Sequence, residues 1–216
     1  MITLLAKVLP LALGAAVSPT LFVGVVLLLS SPGRPRTRAA AFGVGAALPL
    51  VVIAIVGLIV FRHAIAGGHH RISPIVDLAF GAILLLLALR IALKPSSANN
   101  QQPHPVAAGP AKCILLGLGL MVANFSSLAL FIPAVKDVAA ARSVGLGGKV
   151  VVLVIVMLIV LLTVWVPVLL YTFAPDRAQA VLVPLVTKTR NHTHAISLAV
   201  CLIFGIYLAV KGIVAL

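Results

Sequence analysis

Two short polar interruptions carry most of the chemistry available to this chain. Ser18-Pro19-Thr20 and Asn124-Phe125-Ser126-Ser127 each fall within a long apolar run. Proline lacks a backbone donor and clashes with the carbonyl four residues back, so Pro19 leaves carbonyls without helical partners. Asn124, Ser126 and Ser127 place an amide and two hydroxyls at the matching depth of a second run. At membrane depth such groups persist only where protein or a water-lined cavity satisfies them. Each interruption alone reads equally as a kink braced by interhelical hydrogen bonds or as part of a substrate site. Their occurrence as a pair, one in each half of the chain, favours the site. Ser18, Pro19, Thr20, Asn124, Ser126 and Ser127 are therefore the expected substrate-binding residues, lining one cavity between the halves.

The charged residues within the apolar runs are few. Asp77 lies about one turn inside the third run, and an acid at membrane depth is costly enough to be functional by default. Its partner would be Arg71 or a residue of a neighbouring helix. The other reading, slightly preferred, is a solvated acid at a helix start, favoured by the helix dipole. Lys136-Asp137, following Pro133, reads as a local pair at the membrane interface, or as a gating or headgroup contact. Asp77, Lys136 and Asp137 are the expected coupling or ion-pair residues. Lys7 and Lys211 can extend their charges to the outer interface.

Other chemistries lack their residues. The six histidines lie in loops or at span edges, and none shares a helical face with another histidine and an acid, so no metal site is expected. Cys113 and Cys201 have no Cys-x-x-Cys partner and read as small apolar core residues. There is no P-loop, nucleophile elbow or paired-carboxylate site. The expectation is a protein that is not an enzyme, needs no cofactor, and does not drive transport by its own ATP hydrolysis.

The elements that must position these residues are six apolar runs, roughly Leu4–Leu29, Ala39–Phe61, Pro74–Leu93, Cys113–Val135, Val150–Phe173 and Ala195–Leu216. Each reaches or exceeds the roughly 20 residues that cross ~30 Å of hydrocarbon, and a lone lipid-facing segment can satisfy its backbone only as a helix. Hydrophobic residues make up 62% of the chain and charged ones 9%, far from the composition of a soluble domain. The first run resembles a secretory signal at Ala12–Ala16, but it continues without a polar break to the length of a span, so it reads as a retained helix. The formal charge of +13 is carried mostly in loops and at span ends, where it meets anionic headgroups rather than nucleic acid. The segment Lys94–Lys112 has the composition of a flexible linker.

Three runs before that linker and three after it point to duplication. A shift of 106 residues lays Ser18-Pro19-Thr20 on Asn124-Phe125-Ser126, and Phe80-Gly81 resembles Phe204-Gly205, with Ser73 and Ser197 each seven residues upstream. A repeat with an odd number of spans enters the membrane from opposite sides in its two copies. The expected fold is thus all-α: a polytopic membrane protein of six transmembrane helices in two inverted three-helix repeats, 1–93 and 113–216, joined by a cytoplasmic linker, 94–112.

These motifs resemble a known family. The stretch Gly14-Ala-Ala-Val-Ser18-Pro19-Thr20, the Pro32-Gly33-Arg34 loop leading to Ala41-Phe-Gly43-Val-Gly45, the mid-chain polar linker, and Ala123-Asn124-Phe125-Ser126-Ser127-Leu128-Ala129-Leu130 are similar to the lysine-exporter (LysE) superfamily. Within it the chain most resembles the actinobacterial glycolipid- and sulfolipid-addressing proteins, the GAP family. That resemblance implies a six-span protein of the plasma (inner) membrane that helps move envelope glycolipids outward, often beside large lipid exporters. The superfamily's Pro-Gly-Pro appears here as Val17-Ser18-Pro19, and its Asn-Pro-Lys as Asn124-Phe125-Ser126, which weakens transfer of an amino-acid site. A related branch, the membrane thiol–disulfide reductases, carries a reactive cysteine where this chain has Ser18 and Asn124, so redox relay is disfavoured.

The resulting expectation is a secondary exporter or translocation factor for envelope lipids or similar amphipathic solutes, in contact with membrane lipids. Its rivals are a LysE-like small-molecule exporter and a non-transporting scaffold of a lipid-export complex. A partner exporter or a homodimer fits either lipid reading. Counting basic residues by side gives nine (Arg34, Arg36, Arg38, Arg90, Lys94, Lys112, Arg177, Lys188, Arg190) against five (Arg62, Arg71, Lys136, Arg142, Lys149), or seven with Lys7 and Lys211. The nine-residue side is therefore expected in the cytoplasm and both termini outside. An impermeant thiol reagent on intact cells should label a cysteine introduced at Gly68 and spare one at Ser97; the converse pattern reverses the orientation.

Overall fold

The computed structural model describes residues 2–31, 33–66, 72–93, 109–141 and 143–215, and every regular element among them is an α-helix. In chain order these are α1 (Ile2–Ala16), α2 (Pro19–Leu29), α3 (Pro35–Ala66), α4 (Ile72–Leu93), α5 (Pro110–Ala123), α6 (Phe125–Ala140), α7 (Leu146–Val160), α8 (Leu162–Phe173) and α9 (Pro175–Val214). Pro35–Phe61, Pro74–Leu93 and His192–Val214 are each long and apolar enough to cross a membrane. The other three apolar runs are bent pairs: α1 with α2 at 58°, α5 with α6 at 76°, and α7 with α8 at 66°. With each pair counted as one span, the total is six, and the chain is an all-α polytopic membrane protein.

The breaks have local causes. Ser18 is extended (φ −126°, ψ 94°), its Oγ accepts the Leu21 N–H at 3.4 Å, and Pro19 follows at the first helical position. Serine as N-cap and proline at N1 are strong helix-start signals, so this is a true end and restart rather than a kink. Asn124 (φ −84°, ψ 69°) also ends α5 and precedes α6, but without a side-chain cap and with Phe125 rather than proline at the first helical position. The third break, at Leu161 (φ −85°, ψ 0°), was not expected from the sequence. Its one local signal is Pro167, which cannot donate to the carbonyl of Thr163.

A second departure lies in the expected connection before Ala195, which is helical. α9 is 40 residues long, about 60 Å at 1.5 Å per residue and twice the hydrocarbon thickness. Apart from Pro184, which the helix tolerates, this segment has no glycine or proline to stop it. The Lys94–Lys112 linker lies outside the described residues up to position 108; from Gly109 the chain is already capping α5.

The two halves are interleaved. The most extensive pairings run between them, α4 with α9 and α3 with α5. A Cβ built on Gly81 would lie 2.7 Å from the Ala209 nitrogen, one on Gly205 3.0 Å from Leu85 Cγ, and one on Gly212 2.9 Å from the Leu78 nitrogen. Rising numbers on α4 meet falling numbers on α9, so the pair is antiparallel. Exchanging the halves maps it onto itself, with Gly81 on Gly205 and Leu85 on Ala209. The same exchange relates α3 packed on α5 and α6 to α7 and α8 packed on α1 and α2. It fails where α1 packs extensively on α6, whereas its counterpart pair, α2 and α5, scarcely touches.

Two faces follow from these directions. The connection face holds the end of α4 and the starts of α5 and α9; the terminal face holds the start of α4 and the ends of α6 and α9. Ile55, Ile59, Leu86, Leu89, Ile203 and Ile206 are all more than half exposed, as side chains against acyl tails should be.

α3 and α5 meet backbone to backbone. A Cβ on Gly117 would collide with the Phe42 carbonyl oxygen, and one on Gly45 with that of Ile114. Two residues along α5, a Cβ on Gly119 would meet nothing within 4 Å. Gly117→Ala should therefore cost about 1–3 kcal/mol through overpacking, seen as a lower melting temperature in detergent. Gly119→Ala should leave that temperature unchanged or raise it, since alanine favours a helix over glycine by about 1 kcal/mol.

Candidate functional site

The first two breaks meet at one level. Asn124 Nδ2 donates to Ser18 Oγ at 2.7 Å and to Ser127 Oγ at 2.7 Å. Ser127 Oγ donates in turn to the Ala15 carbonyl at 2.7 Å, the group that Pro19 displaces from helical bonding. Ser126 Oγ donates to Asn124 Oδ1 at 3.0 Å. The last carbonyl of α1, that of Ala16, accepts the Ser18 N–H at 2.9 Å and also the hydroxyl of Thr163 from the third broken span. Three interrupted helices thus complete one another's hydrogen bonds. Thr163 was not singled out from the sequence; a lone threonine in an apolar run gives no sign of a partner 147 residues away.

A cavity of about 190 Å³ adjoins this cluster, lined by Thr20 of α2, Leu87 and Ile91 of α4, Leu120 and Ala123 of α5, Asn124 and the first residues of α6, Phe125 and Ser126, and Ser197 and Cys201 of α9. The six residues expected at a substrate site divide around it. Thr20, Asn124 and Ser126 line the cavity, while Ser18, Pro19 and Ser127 are buried behind its wall. Ser197 and Cys201 are additional lining residues that the sequence reading left to the repeat and the core. The cavity occupies the gap where α2 and α5 scarcely touch, and Ile91 and Ser197 place it toward the connection face. There the ring nitrogen Nε2 of His194 lies 2.7 Å from the Ile91 carbonyl, which the end of α4 leaves without a helical donor.

The electrostatics of the cavity come from backbone as well as side chains. No lining side chain is charged. The first-turn N–H groups of α6 have no intrahelical partner, and Asn124 provides no side-chain cap for them. Phe125 and Ser126 bring that turn to the cavity wall. The opposing carbonyls at the end of α1 are taken by Ser127 and Thr163. The wall therefore presents more donor than acceptor character, a setting that favours an anionic group.

The charged residues assemble elsewhere, at the terminal face. Lys136 Nζ lies 2.5 Å from Asp77 Oδ2 and 3.4 Å from Asp137 Oδ1; Lys211 Nζ lies 2.6 Å from Asp137 Oδ2 and 3.2 Å from Asp77 Oδ2. Two acids and two lysines from α4, α6 and α9 alternate in a neutral quartet. The side chains of Asp77, Lys136 and Asp137 are at most 4% exposed, and that of Lys211 is 19% exposed.

This arrangement corrects three readings. Asp77 is not a solvated helix-start acid but a buried one, held from two neighbouring helices; Arg71 lies outside the described residues. Lys136 and Asp137 are not an interfacial pair closed on itself, because the nearest carboxylate to Lys136 is that of Asp77. Lys211 does not extend to the membrane interface but joins both acids. The available signal was scarcity, since the whole chain has only three acidic residues and two of them are in the quartet.

Among the described residues there is no group of three or more histidine, cysteine or acidic side chains that could hold a metal ion. No curated protein and no solved structure matches this chain. A family does: the one described as Sap, sulfolipid-1-addressing protein, matches residues 8–214. With that match spanning nearly the whole sequence, including all three breaks, the cavity and the quartet, the chain belongs to the sulfolipid-1-addressing protein family.

Proposed function

We propose that the chain translocates an amphipathic lipid with an anionic headgroup, drawing it from the leaflet at the connection face. The observation that carries this reading is the cavity between broken helices, lined by the hydroxyls of Thr20 and Ser197 and the first-turn backbone of α6 beside Leu87, Ile91, Leu120 and Phe125. At about 190 Å³ it fits a headgroup and leaves the acyl chains outside in lipid. The open α2–α5 seam supplies their way in. The family description supports the same cargo class, because a sulfated lipid presents an anion joined to apolar chains. A lysine-exporter type of carrier for amino acids fits less well, because no lining side chain could pair with an ammonium group.

The pseudo-equivalent seams support a carrier with two states. The α1–α6 seam is packed and the α2–α5 seam is loose, so the halves stand in the arrangement open to the connection face. Exchanging the two packings would open the terminal face instead. On the charge count the connection face is cytoplasmic, in the plasma membrane, and both termini are outside. Burial of Lys136 and Lys211 in the quartet removes them from the extracytoplasmic tally and widens that margin. Export proceeds by this exchange, with no chemical step on the cargo.

Two measurements test the proposal. In proteoliposomes, a fluorescent sulfated glycolipid should cross the bilayer faster than its unsulfated counterpart with the same chains. Asn124→Leu should abolish this transfer while the protein still inserts, since it removes the donor shared by Ser18 and Ser127. The lost hydrogen bonds should lower stability by about 1–3 kcal/mol. Wild-type rates in an inserted Asn124→Leu protein would reduce the breaks to packing features, and a scaffold role beside another exporter would then account better for the fold.

A further inference from the structure

We infer that Asp77 is a proton-binding site whose occupancy unlocks the terminal face. The inference rests on the translocation reading, for which it supplies the coupling ion. Its first ground is an unpartnered atom. Asp77 Oδ2 meets both lysines, yet Asp77 Oδ1 is buried with no hydrogen-bond partner. A buried acceptor left empty is costly, and Asp77 Oδ1 is the one carboxylate oxygen of the quartet that no ammonium group holds, so it is where a proton can add.

The second ground is charge balance. The groups facing Asp77 from the helices packed on α4 are Lys136 and Asp137 of α6 and Lys211 of α9. Among the described side chains, the other charged and imidazole groups on α4 and α9, Arg90, Lys188, His192 and His194, lie toward the connection end, and the Tyr207 phenol of α9 stands one turn before Lys211. Two ammonium groups already occupy the space between the carboxylates, so a metal cation has no place there without adding to an existing positive pair. A proton needs no new space. It converts the Asp77 carboxylate to a carboxylic acid and leaves two lysines facing one remaining anion. The quartet passes from neutral to singly positive, and an uncompensated buried charge disfavours the packing that encloses it.

The third ground is position. The quartet joins α6 to α4 and α9 on the face where the α1–α6 seam is closed. Asp77 and the cavity residue Ile91 sit 14 residues apart on one helix, about 21 Å along its axis. α4 and α9, packed backbone to backbone through Gly81, connect the two levels. Lys211, the most exposed member, marks the side from which a proton arrives. Protonation of Asp77 weakens the hold of Lys136 on α4, freeing α6 to part from α1.

Cysteine reporters test this without any assay of transport. In a Cys113→Ala, Cys201→Ala background, Val8→Cys reports the terminal half, where Val8 of α1 is fully buried, and Thr20→Cys reports the cavity. Acidifying the buffer should raise labelling of the first and lower labelling of the second. With Asp77→Asn, an isosteric neutral side chain, the Val8→Cys site should label at every pH and the pH response should vanish. With Asp77→Glu the response should persist. A full pH response in Asp77→Asn overturns the assignment. Should that variant fail to insert, an unchanged pattern between alkaline and acid buffer in the Asp77-containing protein overturns it equally. A pH response accompanied by no lipid transfer would sink the translocation reading and leave the proton site standing.

Discussion

The structure depends on one constraint: a backbone carbonyl at membrane depth has no water to bond to. Ending α1 at Ala16 takes the carbonyls of Ala15 and Ala16 out of the helical pattern; Ala16 keeps a local donor in the Ser18 N–H, and both accept further donors from within the protein. Ser127 and Thr163 supply them from two other spans. Those donors fix how the first, fourth and fifth spans approach one another. Asn124 then ties the hydroxyl that caps α2 to the hydroxyl that serves Ala15. Interrupting the helices costs hydrogen bonds locally, and recovering them across the bundle defines where the halves meet.

Polar groups in this protein serve two separate levels. The uncharged ones gather at mid-span and leave a small donor-rich cavity beside them. The charged ones gather nearer the terminal face and neutralise one another. Few other polar side chains are deeply buried; Ser31, for example, returns its hydroxyl to carbonyls of its own helix. The division has an energetic reason. Hydroxyls and amides can be satisfied pairwise with little desolvation, whereas ionised groups leave water only with a counterion and good geometry.

Much of this was legible in the sequence, and the rest was hidden for definite reasons. Ser18-Pro19 and Asn124 could be read because polar letters stand out in an apolar run and proline has a known effect on a helix. Their partners could not, since hydrogen bonds across 106, 112 and 147 positions depend on how spans pack. The break at Leu161 lacked a polar cap and left only Pro167 as a hint. The start of α9 was misread as a loop because its basic and polar residues resemble a connection, although nothing in it ends a helix. For Asp77 a partner on a neighbouring helix is one of the two expectations; the preferred one, a solvated acid at a helix start, fails because sequence position alone does not show how α6 and α9 cover it. Three helix ends had to be brought together before its counterions appeared.

The neutrality of the quartet has an electrical consequence. A membrane voltage does work only on net charge, about 2.3 kcal/mol per elementary charge for each 100 mV crossed. Two lysines and two aspartates displaced together present no monopole to that field, so rearranging the helices that carry them is nearly indifferent to voltage. An added proton removes this indifference. The same motion then carries one net charge through part of the field and draws on the energy stored across the membrane.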